Sequence, residues 1–593
     1  MAGTPSSRGR SFSLTLLAAV ALLLCSAAAA LGLGELTQKA GEAGCISEDG
    51  PTGNPPTCVE GRGIEEALDV AVSPDGKHVY VASFGTGLAI FERDQANGAL
   101  RQIGGLGGCV VEGGDGGICQ DAKAVQDAVS VAISPDGKSV YVIGRRNDAI
   151  AIFERDQTSG ALRQLNGTAG CLSEDGRARP GGPIGECQTG RQLDLARSVA
   201  VSPDGKNVYV AAGGSHAITI FGRNAAGELE QFEGKAGCVT EDGSGGTCDD
   251  GVALAEPFAI AISPDGKSVY VSSLGLSEAV AVFDRDTEGG LHQKPGAAAC
   301  LSATLAGCTP ARAIGAPFGL TVSPDGKDVY VATIVEAVVI LKRAADGSLS
   351  QAPGTAGCIS QEGKGGCRPG VGMRAPFDIA VTSDGKSVYL VSNLAGSIAV
   401  FDRDVASGDL AQKEGRAACY TEEAQLCEKA VAINDAAAVA LSPDGKNVYV
   451  AGHGSHAVSI FDRSLAPTVK PPPPPPPPPA RDKRAPAVSA FKLAPPRFKA
   501  TPKHGSSFRF TLSERADVTI RLERRQLRGK RVVFKPGATL SFKARASGAN
   551  TLRFTGKAGK RPLTPGTYRA TLIATDAAGN ASVPRRAPFT VLR

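Results

Sequence analysis

Short apolar runs separated by turn residues recur along the first 460 or so positions of the chain. In the first unit, residues 70–73 are apolar and end at Pro74-Asp75-Gly76, and residues 79–82 and 88–91 are two further apolar runs. A fourth run, GALRQ at 98–102, is more polar. Runs this short, rich in Val, Ile and Ala and bounded by Gly, Pro and Asp, are strands and not helices. The three inner runs show little polar alternation, which predicts strands covered on both faces.

Aligned on the Asp-Gly of the turn, the unit recurs at Asp75, Asp136, Asp204, Asp265, Asp325, Asp384 and Asp444, at spacings of 61, 68, 61, 60, 59 and 60. A near-constant period of this kind marks a repeat architecture. Ser-Pro-Asp-Gly suits a type I turn, with Pro presetting φ and Gly accepting a positive φ. The sixth repeat has Ser383 in place of Pro, which the turn tolerates. A second hairpin follows the third strand (FERDQANG, FERDQTSG, FDRDTEGG, FDRDVASG). Seven four-stranded units predict an all-β fold, a seven-bladed β-propeller. The units are longer than WD40 blades and lack Trp altogether.

The two ends of the array are complementary. The seventh repeat finishes at SIFDRSLAPTVK without a Gly-x-Leu-x-Gln strand, and that strand stands at the other end, as GELTQ at 34–38. The N-terminal strand is therefore expected to complete the last blade and close the ring, which removes two exposed sheet edges.

The stretch SPDGKNVYVAAGGSHAITIFGRNAAGELEQ resembles a blade of the lactonase-like, or YVTN, β-propeller family, with Asp-Gly-Lys, Tyr-Val, an Ile-Phe run and Gly-x-Leu in order. The resemblance covers roughly residues 34–463. It implies the propeller fold. The family includes lactone hydrolases and propellers without a known reaction, and its shared motif residues are turn and core residues. No catalytic residue of the family is carried onto this chain.

Fourteen of the 15 cysteines fall into seven close pairs: Cys45 with Cys58, Cys109 with Cys119, Cys171 with Cys187, Cys238 with Cys248, Cys300 with Cys308, Cys358 with Cys367, and Cys419 with Cys427. One pair per repeat, in the long segment before each first strand, predicts disulfides within the loops. The spacing does not suit structural zinc. In a four-stranded blade the 4→1 and 2→3 connections share a rim, so the seven clipped loops are expected on one face. The SPDGK turns are expected on the other.

Charge separates the chain into two parts. Residues 481–593 carry 26 Lys+Arg against 5 Asp+Glu, so within the overall +5 the first 480 residues carry −16. Arg8 and Arg10, an apolar run at 14–24 and SAAAA read as a secretory signal. Nine prolines at 471–479 predict a polyproline II spacer. Alternating strands beyond it, with PGTYRATLIATDAAGNAS, resemble a bacterial immunoglobulin- or fibronectin-like β-sandwich. The expected layout is a signal peptide at 1–30, the propeller at 31–466, a linker at 467–487 and a small basic β-sandwich at 488–593. This predicts a secreted, extracellular or wall-associated protein with no transmembrane segment once the signal is removed.

Candidate binding residues sit in the variable 2→3 loops, because loops on a rigid scaffold carry function. They are Arg145, Arg146, His216, Glu278, Glu336, Asn393, His453 and His456. The acidic SEDG and TEDG segments and Asp284, Asp286 and Glu288 invite comparison with calcium loops, but they lack the full alternation of oxygen ligands. Neither a nucleophile elbow nor a metalloprotease, phosphate-loop or dinucleotide motif occurs, so no catalytic residue, metal or cofactor is assigned. Two functions stay open. The first is binding of an unknown ligand or partner on the clipped face, with the basic domain as spacer or as anchor to an anionic cell-wall polymer or polysaccharide. The second is lactonase-like hydrolysis in the central funnel.

Overall fold

The structure is a computed structural model that describes residues 33–50, 58–423, 426–465, 484–501, 504–559 and 561–593. The expected signal segment and nearly all of the Pro-rich linker lie outside the described residues. The chain divides into two compact units, Met1–Val469 and Lys470–Arg593.

The first unit is built from seven sheets with one topology. In the first blade, Ala67–Val72, His78–Ser83 and Gly87–Arg93 form an antiparallel meander. The seven first strands, beginning with Ala67–Val72 and Ala128–Ile133, contact one another in a closed circle around the axis. The second strands are buried along their whole length, as their unalternated sequence requires.

The outer part of each blade differs from the four-strand expectation. Leu100–Gln102 pairs with the C-terminal half of Gly87–Arg93, and Cys109–Val111 pairs with its N-terminal half. The fourth strand is thus a single strand interrupted by a 3₁₀ turn, Gly105–Gly108. The turn enters through a left-handed residue, which Gly105 (φ 65°) adopts without steric cost. A two-residue strand, Gln120–Asp121, then adds in parallel to Cys109–Val111. Two short stretches of the segment expected to be loop are therefore sheet, which makes each sheet six-stranded.

All seven expected disulfides are present. Cys45 is bonded to Cys58, Cys109 to Cys119, Cys171 to Cys187 and Cys238 to Cys248. Cys300 is bonded to Cys308, Cys358 to Cys367 and Cys419 to Cys427. The expectation that they clip loops needs one correction, because they staple sheet. The first cysteine of each pair opens the outer half of the fourth strand, and the second stands next to the added parallel strand: Cys58 before Val59–Glu60, Cys248 before Asp249–Asp250, Cys367 before Arg368–Gly370 and Cys427 before Glu428–Lys429. Each bond therefore sits one step before the short parallel ladder. Cys109–Cys119 precedes Val110↔Gln120, and Cys300–Cys308 precedes Leu301↔Thr309. Two paired residues cannot hold a parallel register by themselves. The covalent link sets it while the intervening chain varies from 8 to 16 residues in sequence separation.

The repeated turn phrase serves packing between blades. Arg155 of the second blade donates from Nε to Tyr80 Oη at 2.9 Å, from Nη1 to Gly137 O at 2.9 Å, and from Nη2 to Asp75 Oδ1 at 2.9 Å. Tyr80 Oη in turn donates to Gly160 O at 2.8 Å. The Asp of one SPDG turn, the Tyr that follows it and the Arg of the next blade's third strand therefore form a clasp. Burial opposes ionisation of Asp75, but hydrogen bonds from Ser73, Lys77 N–H and Arg155 outweigh it and hold the carboxyl below the usual range. Around the ring, Arg93 makes the same bonds to Asp444 and Tyr449, joining the first blade to the seventh.

The N-terminal strand closes the ring as expected. Leu36–Gln38 and Cys45–Ser47 pair with Ala457–Arg463, with Gln38 opposite Phe461. Tyr389 Oη donates to Gly34 O at 2.7 Å, and Tyr420 Oη donates to Leu36 O at 2.6 Å.

In the second unit a three-stranded sheet and a five-stranded sheet share one apolar core containing Phe508, Phe554, Phe589, Ile520 and Leu572. Its longest strands, Ala516–Arg528 and Arg531–Arg545, form one hairpin.

Candidate functional site at the mouth of the central channel

Every first strand carries a bulge at its second residue. The register to the second strand shifts between Ala67 and Asp69, Ala196 and Ser198, and Pro376 and Asp378, with equivalent shifts in the other blades. A bulge leaves one residue unpaired and re-aims its side chain. The bulged residue and its successor line a cavity of about 290 Å³ on the ring axis. These residues stand at the start of the first strands, so the cavity lies at the end of the channel nearest the disulfide-stapled segments.

The seven blades contribute unlike side chains to this cavity. Phe258 and Phe377 line it, and Phe318 packs against both, with ring centroids 4.6 Å from Phe258 and 4.8 Å from Phe377. Arg197 places its guanidinium carbon 5.5 Å from the Phe258 centroid, within cation–π range. Arg145 joins it from the 2→3 connection of the second blade. Arg197 Nη2 lies 3.6 Å from Glu256 Oε2, while its buried Nε has no partner among the described residues. Desolvation, then the charge of Arg145, push the Arg197 pKa down. Gly213 makes room for this side chain: a Cβ there would lie 2.6 Å from Arg197 Nε.

Asp69 and Asp378 supply carboxyls from the first and sixth blades. Asp69 accepts from Val70 N at 2.8 Å and from Val131 N at 2.9 Å, and Asp378 accepts from Val439 N at 3.0 Å. Each thereby ties its own first strand to that of the next blade. Burial pushes Asp69 up to about 6 and Asp378 up to about 7, the latter also raised by the charge of Asp69. Both groups therefore change charge near neutrality. The cavity thus combines half-buried cations, titrating carboxyls and aromatic rings, the mixture typical of sites for small organic molecules.

Of the eight residues singled out from the sequence, the cavity includes Arg145. Arg146 is exposed beside it. His216, Glu278, Glu336 and His456 occupy turn positions with φ of 49°, 37°, 67° and 47°. His216 Nδ1 accepts from Glu256 N at 2.9 Å and His456 Nδ1 from Glu66 N at 2.9 Å, so both rings cap the backbone of the following blade. Glu336 pairs with Lys364 on the rim. Asn393 and His453 are half-buried in their own turns, where Asn393 O accepts from Gly396 N at 2.9 Å and His453 O from His456 N at 3.2 Å. The acidic loop segments are also braces: Glu48 Oε2 accepts from Ile64 N at 2.7 Å, and Glu174 and Glu241 repeat the bond to Leu193 N and Leu254 N. Asp286 is used by its turn, accepting from Glu288, Gly289 and Gly290 N–H.

Asp69, Asp378, Arg197 and the three phenylalanines are absent from the set that sequence reasoning singles out. Their signal is a column of disagreement. The first strands read ALDVAV, AVSVAI, ARSVAV, PFAIAI, PFGLTV, PFDIAV and AAAVAL, and the second and third positions vary where the later positions, Thr321 apart, stay apolar.

A closed ring of seven blades with a cavity on its axis defines the class: a seven-bladed propeller with its candidate site at one mouth of the channel. The sequence model of the family described as lactonase, 7-bladed beta-propeller, matches residues 321–468. A curated 6-phosphogluconolactonase from Formosa agariphila is 28% identical over 102 residues, 17% of this chain and 25% of that protein. The matched stretch thus spans about a quarter of the relative's length. Among solved structures, a putative 6-phosphogluconolactonase from Bacteroides fragilis is similar at 19% identity and a TM-score of 0.43, over 67% of this chain and 90% of that one. The periplasmic gluconolactonase of Pseudomonas aeruginosa is similar at 18% identity and a TM-score of 0.41, over 64% and 94%. The propeller is lactonase-like in its repeats.

Proposed function

We propose that the protein works outside the cytoplasm and binds a small organic acid at the channel mouth, on the disulfide-clipped face. The observation that carries this reading is a pair of cations, Arg197 and Arg145, at the wall of a cavity also lined by Phe258 and Phe377. A carboxylate ligand would pair with these guanidinium groups at the cavity wall. The aromatic wall suits the ligand's carbon skeleton. Seven disulfides fit an oxidising compartment, and among the described residues no helix is long and apolar enough to cross a membrane. The test is calorimetric titration of the full chain with a panel of aliphatic and aromatic carboxylates. Binding that is lost in Arg197→Ala and kept in His453→Ala supports the reading. Equal binding by both variants refutes it.

A second reading is hydrolysis of a lactone in the same cavity. It is favoured by the raised Asp378 carboxyl, which is poised near neutral pH as a general base should be. Asp378 would take a proton from water as its oxygen bonds to the lactone carbonyl carbon. Arg197 and Arg145 would stabilise the oxyanion. The ring C–O bond would then break, with the alkoxide taking the proton back to give the hydroxy acid. Turnover of glucono-δ-lactone above the spontaneous rate, with an inflection near pH 7 and loss in Asp378→Asn, is the expected result. A rate no faster than buffer removes this reading and leaves the binding one intact.

A further inference from the structure

The hairpin of the C-terminal unit outgrows its sheet. The strand Gly566–Thr575 pairs with Ala516–Arg528 only from Asp517 to Arg524. Beyond that point Ala516–Arg528 and Arg531–Arg545 continue as a two-stranded ribbon, from Arg525↔Phe534 to Arg528↔Arg531, with Arg524↔Lys535 at its base. Between 524 and 535 the ribbon carries Arg524, Arg525, Arg528, Lys530, Arg531 and Lys535 and no acidic residue. All six are exposed, and none forms an ion pair with a described residue.

The register sorts these side chains by face. On one face Arg524 stands opposite Lys535, Gln526 opposite Val533, and Arg528 opposite Arg531. The other face carries Arg525↔Phe534 and Leu527↔Val532. Like charges directly opposite one another destabilise a sheet. Arg524 Nη2 donates to Pro565 O at 3.1 Å, but no carboxylate among the described residues pairs with either rung. Both fit a surface whose charge is neutralised by something else. The rungs lie four residues apart, about 14 Å along the strands, which is too far for one small anion to bridge and suits a chain with anionic groups at intervals. Between them lie an amide and an exposed apolar side chain, Gln526 and Val533. Carboxylates spaced along a sugar chain, with hydroxyls and C–H faces between, match the order of charge, amide and apolar surface, and charge.

We propose that the ribbon Arg524–Lys535 is a docking surface for a linear acidic polysaccharide bearing carboxylates. Guanidinium groups bind such carboxylates bidentately, and the attachment weakens as salt rises. The surface belongs to the basic unit and does not depend on the ligand of the channel.

The experiment uses the full chain and polygalacturonate as probe, with binding read by co-sedimentation across a salt series. The test variant is Arg524→Gln/Arg528→Gln/Arg531→Gln/Lys535→Gln. A control removes the same charge elsewhere on the unit, at the exposed Arg497, Lys499, Lys557 and Arg593. The expected result is an affinity at least tenfold weaker in the ribbon variant at low salt, an affinity within threefold of wild type in the control, and a melting temperature in the ribbon variant no lower than wild type. Equal loss in both variants would reduce the attraction to net charge and overturn the proposal. So would tighter binding of wild type to duplex DNA or to phosphatidylglycerol vesicles, at matched charge, than to polygalacturonate.

Discussion

Gln38 holds Val431 with both ends of its carboxamide, across 393 positions of sequence: Oε1 accepts from Val431 N at 2.8 Å and Nε2 donates to Val431 O at 2.9 Å. The same grip recurs within the chain, where Gln231 holds Arg191 N and O at 2.9 and 3.1 Å. At Gln38 the strand that carries the side chain has no covalent continuity with its blade. Gln38→Ala leaves the partly buried Val431 N without its acceptor, while Val431 O keeps the bond from Ser459 Oγ at 2.9 Å, and should cost about 1–3 kcal/mol. Thermal melts should show a larger loss than for Gln231→Ala, with faster proteolysis near residue 38. Equal melting of the two variants would contradict a latch.

Arg155 is fully buried at the side chain, where it joins Asp75, Tyr80 and Gly137. Removing it strands the other members of the clasp. Arg155→Ala should destabilise the propeller by about 3–5 kcal/mol. Arg155→Lys should recover little of that, because an ammonium cannot reproduce the planar fork. Denaturant melts of both variants provide the measurement.

The disulfides close segments of unequal length. On the chain-entropy relation, losing Cys171–Cys187, at a sequence separation of 16, should cost about 3 kcal/mol. Losing Cys300–Cys308, at a separation of 8, should cost about 2.5 kcal/mol. The sharper readout is local. Paired Cys→Ser changes at 171 and 187 should raise hydrogen exchange at Gly190 N, whose bond to Ser173 O at 2.8 Å follows the parallel ladder. Unchanged exchange would show that the ladder holds itself.

Asp378 titrates at about 7 in the folded protein, against 3.8 as the reference for an exposed aspartate. A carboxyl with a raised pKa stays protonated in the fold while the unfolded chain ionises, so its contribution is most favourable below 3.8 and declines until the pH passes about 7. Asp378→Asn removes that penalty and retains an oxygen for Val439 N. The melting-temperature gain of the variant over wild type should therefore grow from pH 4 to pH 7 and level off above. A gain independent of pH would show that Asp378 ionises freely.

Seven strand sets, their turns, the cysteine pairs and the latch at 34–38 are legible in the sequence because each rests on local chemistry repeated in register. Ser-Pro-Asp-Gly turns wherever it stands, and an unalternated VYVA run needs cover on both faces. The split fourth strand is less legible, since the Gly-rich segment at 104–108 reads as loop until its neighbours pair with one strand on either side of it. The same holds for the cysteines: that Cys248 pairs with Cys238 follows from spacing, but that the bond staples a parallel ladder does not, because Asp249–Asp250 has no strand-like pattern of its own. Among the candidate residues, His216 and His456 stand out as scarce histidines in variable turns. Their rings are used to cap the next blade's backbone, a partner some 40 positions further on for His216 and across the ring closure for His456.

By itself the sequence determined the ring: the number of blades, where each turns, how the covalent clips pair and which strand shuts the circle. Such features follow from short-range propensity multiplied sevenfold. Only the tertiary structure decided what the ring encloses. A one-residue bulge, invisible as composition, aims Arg197, Phe258 and Phe377 into the axis, and Asp69 and Asp378 join them there from the first and sixth blades. Residues hundreds of positions apart become neighbours because closure brings every first strand to one axis, and the resulting burial makes their charges responsive near neutral pH.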